Sequence, residues 1–127
     1  MPRLEWKYGF VTHNKIVDLQ HKYFVELINR LYDELEQSRE QQYQKRLLDE
    51  LSHYARFHFT SEENIFLKHY PEKFAKHKIL HDTLLVDLTK HIDDFNNNKL
   101  AAHDILHFVM KWFATHTITE DVQDFIK

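Results

Sequence analysis

Residues 74–88 read FAKHKILHDTLLVDL. In this stretch Phe74, His77, His81, Leu84 and Leu88 follow one another at intervals of 3, 4, 3 and 4 residues. Such spacing places all five side chains on one face of an α-helix. The stretch therefore predicts a helix whose buried face carries two histidines among its apolar residues.

Three further stretches show helical periodicity, so the sequence predicts an all-α fold. The predicted helices cover about residues 12–37, 39–68, 71–95 and 99–115, after an N-terminal arm over Met1–Val11. A turn at residues 69–71 and a loop at 96–98 separate the later helices. With one glycine and two prolines in 127 residues, the chain lacks the turn residues that a β-rich fold needs. Short connections make neighbouring helices antiparallel, which predicts an up-down-up-down four-helix bundle with a short C-terminal helical piece.

The composition excludes several classes of function. The chain has no cysteine, which rules out disulfides, thiolate metal sites and cysteine nucleophiles. A net charge of −3 gives no basic face for a nucleic acid. No signal peptide is visible over Met1–Phe10, and no stretch is long enough to span a membrane. We expect a cytoplasmic protein with a single domain over residues 1–127, and with neither a nucleic-acid nor a membrane partner.

Histidine is the residue type in excess, with 11 copies in 127 residues. It titrates near neutrality and is the commonest metal ligand in proteins. Five histidines and one glutamate fall on the apolar faces of the predicted helices: His21, His58, Glu62, His77, His81 and His116. Glu63 follows Glu62 directly and is therefore expected to point about 100° away, towards solvent.

The other six histidines are expected outside the core, at a helix start, in a turn or on polar faces. They are His13, His53, His69, His91, His103 and His107. Of these, His103 and His107 also stand four residues apart, but on the polar face of the fourth helix. We therefore expect them not to hold the native metal.

Burying six polar side chains requires partners for them. Each unsatisfied buried polar group costs roughly 1–3 kcal/mol, whereas a whole domain is stable by only about 5–15 kcal/mol. Mutual hydrogen bonds would satisfy some of the six groups, but a metal satisfies all of them. The alternative is a plain bundle with one zinc ion or no metal.

A seventh ligand is expected at Asp121, five residues after His116. On an undisturbed α-helix these two side chains point about 140° apart. The β-branched residues around Thr117 are weak helix formers, and Thr119 is a credible N-cap for a last helical piece. We predict a break near residues 117–119 that turns Asp121 inward. Five imidazoles and two carboxylates without sulfur suit iron, and less uniquely manganese or zinc. Seven ligands are too many for one ion, whereas two ions bridged by both carboxylates use them all.

Four motifs carry a resemblance to a known family. They are DLQHK at 18–22, HFTSEE at 58–63, the His-x-x-x-His pair at 77–81, and the segment 112–121, in which Trp112 and Phe113 precede His116 and Asp121. With these motifs the sequence resembles the hemerythrin family, over nearly its whole length from Trp6 to Asp121.

The resemblance implies two iron ions that share a bridging oxo or hydroxo group and are bridged by Glu62 and Asp121. One iron would take His77, His81 and His116, and the other His21 and His58. The second iron would keep an open position for dioxygen. The implied function is reversible dioxygen binding for carriage, storage or delivery, by a protein that is not an enzyme.

The resemblance also implies an oxygen pocket lined by Phe24, Phe59, Trp112, Phe113 and Thr117. Phe24 and Thr117 depart from the family, which usually has aliphatic residues at these two positions. Aromatic residues at such spacings are equally typical of a plain helical core, so the pocket stays a hypothesis.

Two other functions compete with carriage: a di-iron redox enzyme, and an oxygen or nitric oxide sensor. Ferritin-like di-iron enzymes use Glu-x-x-His motifs and more carboxylates. This chain has the order His-x-x-x-Glu at His58 and Glu62 and a nitrogen-rich ligand set, which favours carriage. Sensors of this kind usually act through an attached domain, and we expect none here. No protein client is indicated.

Overall fold

Long helices build the fold, which confirms the predicted four-helix bundle. The structure is a computed structural model and describes residues 4–126, with only the backbone of Ile126. The helices are α1 (Lys15–Gln37), α2 (Gln41–His69), α3 (Pro71–Asn96), α4 (Ala102–His116) and α5 (Val122–Ile126). A 3₁₀ turn (Tyr8–Phe10) lies in the N-terminal arm, and a π turn (Thr117–Asp121) joins α4 to α5.

Three helices (α1, α2 and α4) begin two or three residues later than the sequence predicts. For α1 and α4, the residues before the observed start form the preceding loops. Before α1, the side chain of Asn14 caps the helix by accepting hydrogen bonds from the N–H groups of Ile16 and Val17. Before α4, Asn98 adopts a φ of 60°. This left-handed conformation, which asparagine tolerates, ends the preceding turn and delays the helix start to Ala102.

The connection between α2 and α3 is a single residue, Tyr70. Pro71 occupies the first turn of α3, where its fixed φ suits a helix start and its missing N–H costs nothing. So short a connection makes α2 and α3 antiparallel. The end of α2 and the beginning of α3, which carry four of the predicted ligands, therefore lie side by side.

The predicted apolar faces form the core between the helices. The residues buried as predicted are Val17, Phe24, Ile28, Leu31, Leu35, Leu47, Leu51, Ala55, Leu84, Leu88, Ile105 and Val109. Ile65, Phe74, Ile92 and Trp112 are only half-buried. Within residues 4–126, no helix combines the length and the apolar character needed to cross a bilayer.

The N-terminal arm packs against the bundle near the end where α4 finishes. Phe10 is fully buried, and its ring meets that of Phe113 edge-on at 5.5 Å. Nearer the N-terminus, Leu4 is held by Asn29 of α1. The side-chain amide of Asn29 donates a hydrogen bond to the carbonyl of Leu4 and accepts one from the N–H of Leu4. These contacts hold the arm against α1 and α4.

Candidate metal centre

All seven predicted ligands meet at one end of the bundle, and every one of them is buried. The most exposed is His116, at 6%. The ligands come from every long helix and the π turn: His21 on α1, His58 and Glu62 on α2, His77 and His81 on α3, His116 on α4, and Asp121 in the π turn. On α2 and α3 the two ligands stand four residues apart and so lie one turn above each other.

The π turn brings Asp121 to the site, and it differs from the break that the sequence predicts. His116, Thr117 and Val122 all keep right-handed helical dihedrals, so the chain continues as a helix. Thr119 does not cap a new helix; its hydroxyl donates to the carbonyl of Thr115 at 2.8 Å. A π turn closes its hydrogen bonds between residues five apart, whereas an α-helix closes them between residues four apart. Two side chains five apart, His116 and Asp121, therefore face the same way.

The two carboxylate oxygens of Glu62 face two different groups of histidines. Oε2 lies 3.3 Å from Nε2 of His21 and 3.3 Å from Nε2 of His58. Oε1 lies 3.2 Å from Nε2 of His81 and 3.7 Å from Nδ1 of His77. Glu62 therefore stands between a two-histidine group and a group that includes both α3 histidines.

Asp121 divides its oxygens in the same manner. Oδ2 lies 3.3 Å from Nε2 of His21, whereas Oδ1 lies 3.1 Å from Nε2 of His116 and 3.6 Å from Nδ1 of His77. Both carboxylates thus span from a two-histidine group (His21 and His58) to a three-histidine group (His77, His81 and His116). The site has two halves that share the carboxylates.

The separations within the site fit metal ligation better than direct hydrogen bonding. Ligand atoms about 2.0–2.2 Å from one metal ion, at angles between octahedral and tetrahedral, stand about 3.0–3.5 Å apart. Among the described residues, eight buried side-chain atoms have no hydrogen-bond partner, and six of them belong to the predicted ligands on the sides that face one another. These six are both oxygens of Glu62, Oδ1 of Asp121, Nδ1 of His77, and Nε2 of His81 and His116. Metal ions would satisfy all six, so the residues present fit a metal centre.

In the metal-free site, protonated histidines compensate the buried carboxylates. Burial alone would raise the pKa of Glu62, but the surrounding histidines hold it well below its usual value. Burial alone would lower the pKa of His21 and His81, but the neighbouring carboxylates raise both to about 9. Burial lowers the pKa of His58. Without metal, protons on His21 and His81 therefore balance the two carboxylates.

Two of the histidines are held from behind by polar side chains. Nδ1 of His58 lies 2.7 Å from Oε1 of Gln20, and Nδ1 of His81 lies 2.7 Å from Oε2 of Glu63. The expectation that Glu63 points to solvent is wrong, since its side chain is only 13% exposed. Its position directly after a ligand was the only sequence signal for this role.

His77 is turned the other way from the remaining ligands, because Asp124 holds it. Nε2 of His77 lies 2.6 Å from Oδ2 of Asp124, which leaves Nδ1 to face the carboxylates. Lys76 donates to the same Asp124 oxygen at 3.0 Å, and Lys73 donates to the Asp124 carbonyl at 2.6 Å. The sequence analysis missed Asp124. Without knowledge of the π turn, its position three residues after Asp121 does not indicate that its side chain reaches His77.

The proposed pocket residues lie around different parts of the site. Phe113 meets His21 edge-on at 5.5 Å and Phe24 at 5.3 Å, so both phenylalanines border the two-histidine group. Phe59 stacks on His81 at 4.1 Å, and Trp112 stacks on His116 at 4.3 Å, so both cover the three-histidine group.

Thr117 is buried, and its hydroxyl is one of the two unpaired atoms that metal ligation would leave unexplained. The other is Nδ1 of His21. Neither atom has a hydrogen-bond partner among the described residues. One atom on α1 and one in the π turn are therefore free to bind a further polar group.

Comparison with known proteins shows the family of the chain. The sequence profile described as "Hemerythrin HHE cation binding domain" matches residues 12–125. The chain is 33% identical to a bacteriohemerythrin of Methylococcus capsulatus, over 84% of this chain and 82% of the relative. It is 26% identical to a bacteriohemerythrin of Clostridium acetobutylicum, over 91% and 94%. A crystal structure of a hemerythrin mutant, in which a leucine is replaced by alanine, superposes with a TM-score of 0.85 at 27% identity. The match covers 97% of this chain and 95% of that one. The chain belongs to the hemerythrin family.

Proposed function

We propose that this chain holds two iron ions and binds dioxygen reversibly at the half of the site that has two histidines. One observation carries the proposal: Glu62 and Asp121 each direct one oxygen to the two-histidine group and the other to the three-histidine group. A carboxylate that bridges two ions needs this division of its oxygens. A single ion needs only one oxygen from each, and it would leave part of the set unused.

The donor set supports iron as the metal. Five imidazoles with two carboxylates and no thiolate suit first-row ions of intermediate hardness. Structural zinc sites use four ligands in a closed tetrahedron, so seven buried ligands exceed what one zinc ion employs. In this proposal His77, His81 and His116 hold one iron, His21 and His58 hold the other, and an oxo or hydroxo group completes the bridge.

The unequal division of histidines marks the half that receives dioxygen. The two-histidine half has one protein ligand fewer, and metal sites that bind an exogenous group keep such an open position. When bound, the two iron ions supply that position and the reversible redox chemistry on which oxygen binding depends. The chain creates this asymmetry because α3 and α4 together supply three histidines to one half, whereas α1 and α2 supply two to the other.

Phe24 and Phe113 are proposed to keep this half dry. Both are fully or almost fully buried, and both have their rings against the two-histidine group. Excluding water from a site strengthens the interactions inside it and prevents side reactions. Phe59 and Trp112, stacked on the other half, are proposed to fix the planes of His81 and His116.

Thr117 is proposed to place a hydrogen-bond donor in the pocket. Its hydroxyl is buried without a partner, and such a group gains about 0.5–1.5 kcal/mol from one good hydrogen bond. A bound oxygen molecule or one buried water would accept that bond.

Binding rather than turnover is favoured by the ligands themselves. The site has five nitrogen ligands and two carboxylates, whereas ferritin-like di-iron enzymes use more carboxylates and paired Glu-x-x-His motifs. The chain aligns over most of the length of the relatives named bacteriohemerythrin. We therefore propose carriage, storage or delivery of oxygen as the role.

Repeated oxygen exposure tests the proposal. Iron-loaded protein, reduced under argon, should gain a visible absorption band when oxygen is admitted and lose it when argon returns, over several cycles, with one oxygen molecule taken up per chain. Sustained oxygen consumption in the presence of a reductant would indicate an enzyme instead. A single irreversible oxidation, or no spectral response with iron in place, would overturn reversible binding.

A further inference from the structure

A second group of polar side chains lies across the seam between α1 and α4, far from the metal centre. Tyr32 and Glu36 stand four residues apart on α1, and His103 and His107 stand four residues apart on α4. Each pair therefore projects from one face of its helix. We call these four residues the seam cluster.

The contacts within the seam cluster converge on one nitrogen of His103. Nε2 of His103 lies 2.9 Å from the hydroxyl of Tyr32 and 3.4 Å from Oε1 of Glu36. The rings of His103 and His107 are 5.0 Å apart. The sequence placed both histidines on a solvated face, and this is right for His107, which is exposed. His103 is half-buried, since the ring of Tyr32 packs against it at 4.9 Å.

The seam cluster cannot belong to the site described above. His103 precedes His116 by 13 residues on the same helix, and at about 1.5 Å per residue this puts them roughly 20 Å apart along α4. Glu36 and His103 instead line an open cleft at the opposite end of the bundle, of ≈ 690 Å³.

We propose that His103, His107 and Glu36 form a second, peripheral site for a divalent transition-metal ion of the zinc class. Two histidines at i and i+4 on a helix present their nitrogens to one ion. Two histidines and one glutamate, with solvent in the fourth position, form a known tetrahedral zinc ligand set. The cleft beside Glu36 supplies the solvent.

The rearrangement that this site requires is small. His103 and Glu36 already face one point, and their 3.4 Å separation is that of two ligands on one ion. His107 must turn its ring to join them, which costs little because the side chain is exposed. Tyr32 then donates its hydroxyl hydrogen to Glu36 or to the bound water.

Zinc titration of the iron-loaded protein tests the proposal, with bound zinc measured by equilibrium dialysis and iron retention followed in parallel. The wild-type chain should bind one zinc ion in the micromolar range without losing iron. His103→Ala and His107→Ala should each weaken zinc binding by roughly tenfold or more, and Glu36→Gln by several-fold. His53→Ala is the matched control, since His53 is an exposed helical histidine with no second histidine at four residues' distance. This variant should bind zinc as the wild type does.

Three results would overturn the second site. The first is an iron-loaded protein that takes up no zinc. The second is zinc uptake only in exchange for iron. The third is equal zinc affinity in the wild type, His103→Ala and His107→Ala. Iron content and oxygen response serve as the measure of the central site, so failure of the peripheral site leaves the proposed function separately testable.

Discussion

Nδ1 of His81 lies 2.7 Å from Oε2 of Glu63, while Nε2 of the same ring faces Glu62. His81 is thus held between two consecutive glutamates, one inside the centre and one behind it. Outer partners of this kind fix the tautomer and orientation of a ligating histidine. Glu62 and Glu63 therefore differ in role although they are neighbours in sequence and identical in chemistry.

Replacing these two glutamates should separate their roles. Glu62→Ala removes a bridge and should lose both metals and much of the stability, since metal binding is coupled to folding. Glu63→Ala should retain two irons when loaded but release them to a chelator about 10–100-fold faster, because it removes an outer partner. Leaving His81 Nδ1 unpaired should cost about 1–3 kcal/mol of unfolding free energy. Metal retention and chemical denaturation measure both effects, and equal losses in the two variants would show that the inner face of α2 is misplaced.

Asp124 should act as the corresponding partner of His77. Asp124→Asn keeps the size of the side chain but removes the charge that attracts His77 and Lys76. We expect weaker metal retention, by roughly tenfold, and easier proteolysis of the C-terminal residues. Glu26→Gln, at an exposed position of α1, is the control and should match the wild type. If Asp124→Asn retains metal as firmly as this control, the contact with His77 has no role in positioning.

The pH dependence follows from the two histidines whose pKa is raised to about 9, His21 and His81. At pH 7.5 both carry protons in the metal-free protein, so loading with metal should release about two protons per chain. A raised pKa in the folded state stabilises the metal-free fold below the unfolded pKa of about 6.5. That stability is lost as pH rises through about 9. Indicator-dye titration and denaturation at several pH values measure the two effects. No proton release, or a metal-free fold that gains stability from pH 6.5 to 9, would contradict the proton-filled site.

Thr117 should control how long the oxygen-loaded protein survives. Its unpaired hydroxyl offers a proton or recruits water near the bound oxygen, which favours irreversible oxidation. Thr117→Val removes only the hydroxyl, and Thr117→Ile also fills the space, so both should slow the decay of the oxygenated spectrum several-fold. Thr119→Val is the control, because the hydroxyl of Thr119 is occupied by the carbonyl of Thr115. Unchanged decay in the Thr117 variants, with iron intact, would show that this hydroxyl does not reach the pocket.

Most of the fold was predictable because few competing structures satisfy the sequence. The apolar and histidine residues from Phe74 to Leu88 follow a 3-4-3-4 spacing, which fits an α-helix and not a β-strand. The scarcity of glycine leaves few positions where the chain can turn. Helix ends were less predictable. At Asn14 and Asn98 they depend on side-chain capping and on a left-handed residue, which periodicity does not reveal.

The inner residues of the site were also predictable, whereas their outer partners were not. A buried ligand such as His58 must share the apolar face of its helix, so helical spacing identifies it. Gln20, Glu63 and Asp124 lie beside that face and reach the site through side-chain torsions and the packing of a second helix. The π turn was foreseen only as a disturbance of the helix, since β-branched residues weaken α-geometry without specifying what replaces it.

Anomalous diffraction from crystals of the iron-loaded protein, recorded on both sides of the iron absorption edge, tests the central claim most directly. We expect two iron peaks per chain, one beside His21 and His58 and the other beside His77, His81 and His116, with Glu62 and Asp121 each bound to both. The account would be contradicted by a single peak or by a metal other than iron. Two iron peaks would also contradict it if Glu62 or Asp121 is bound to only one of them.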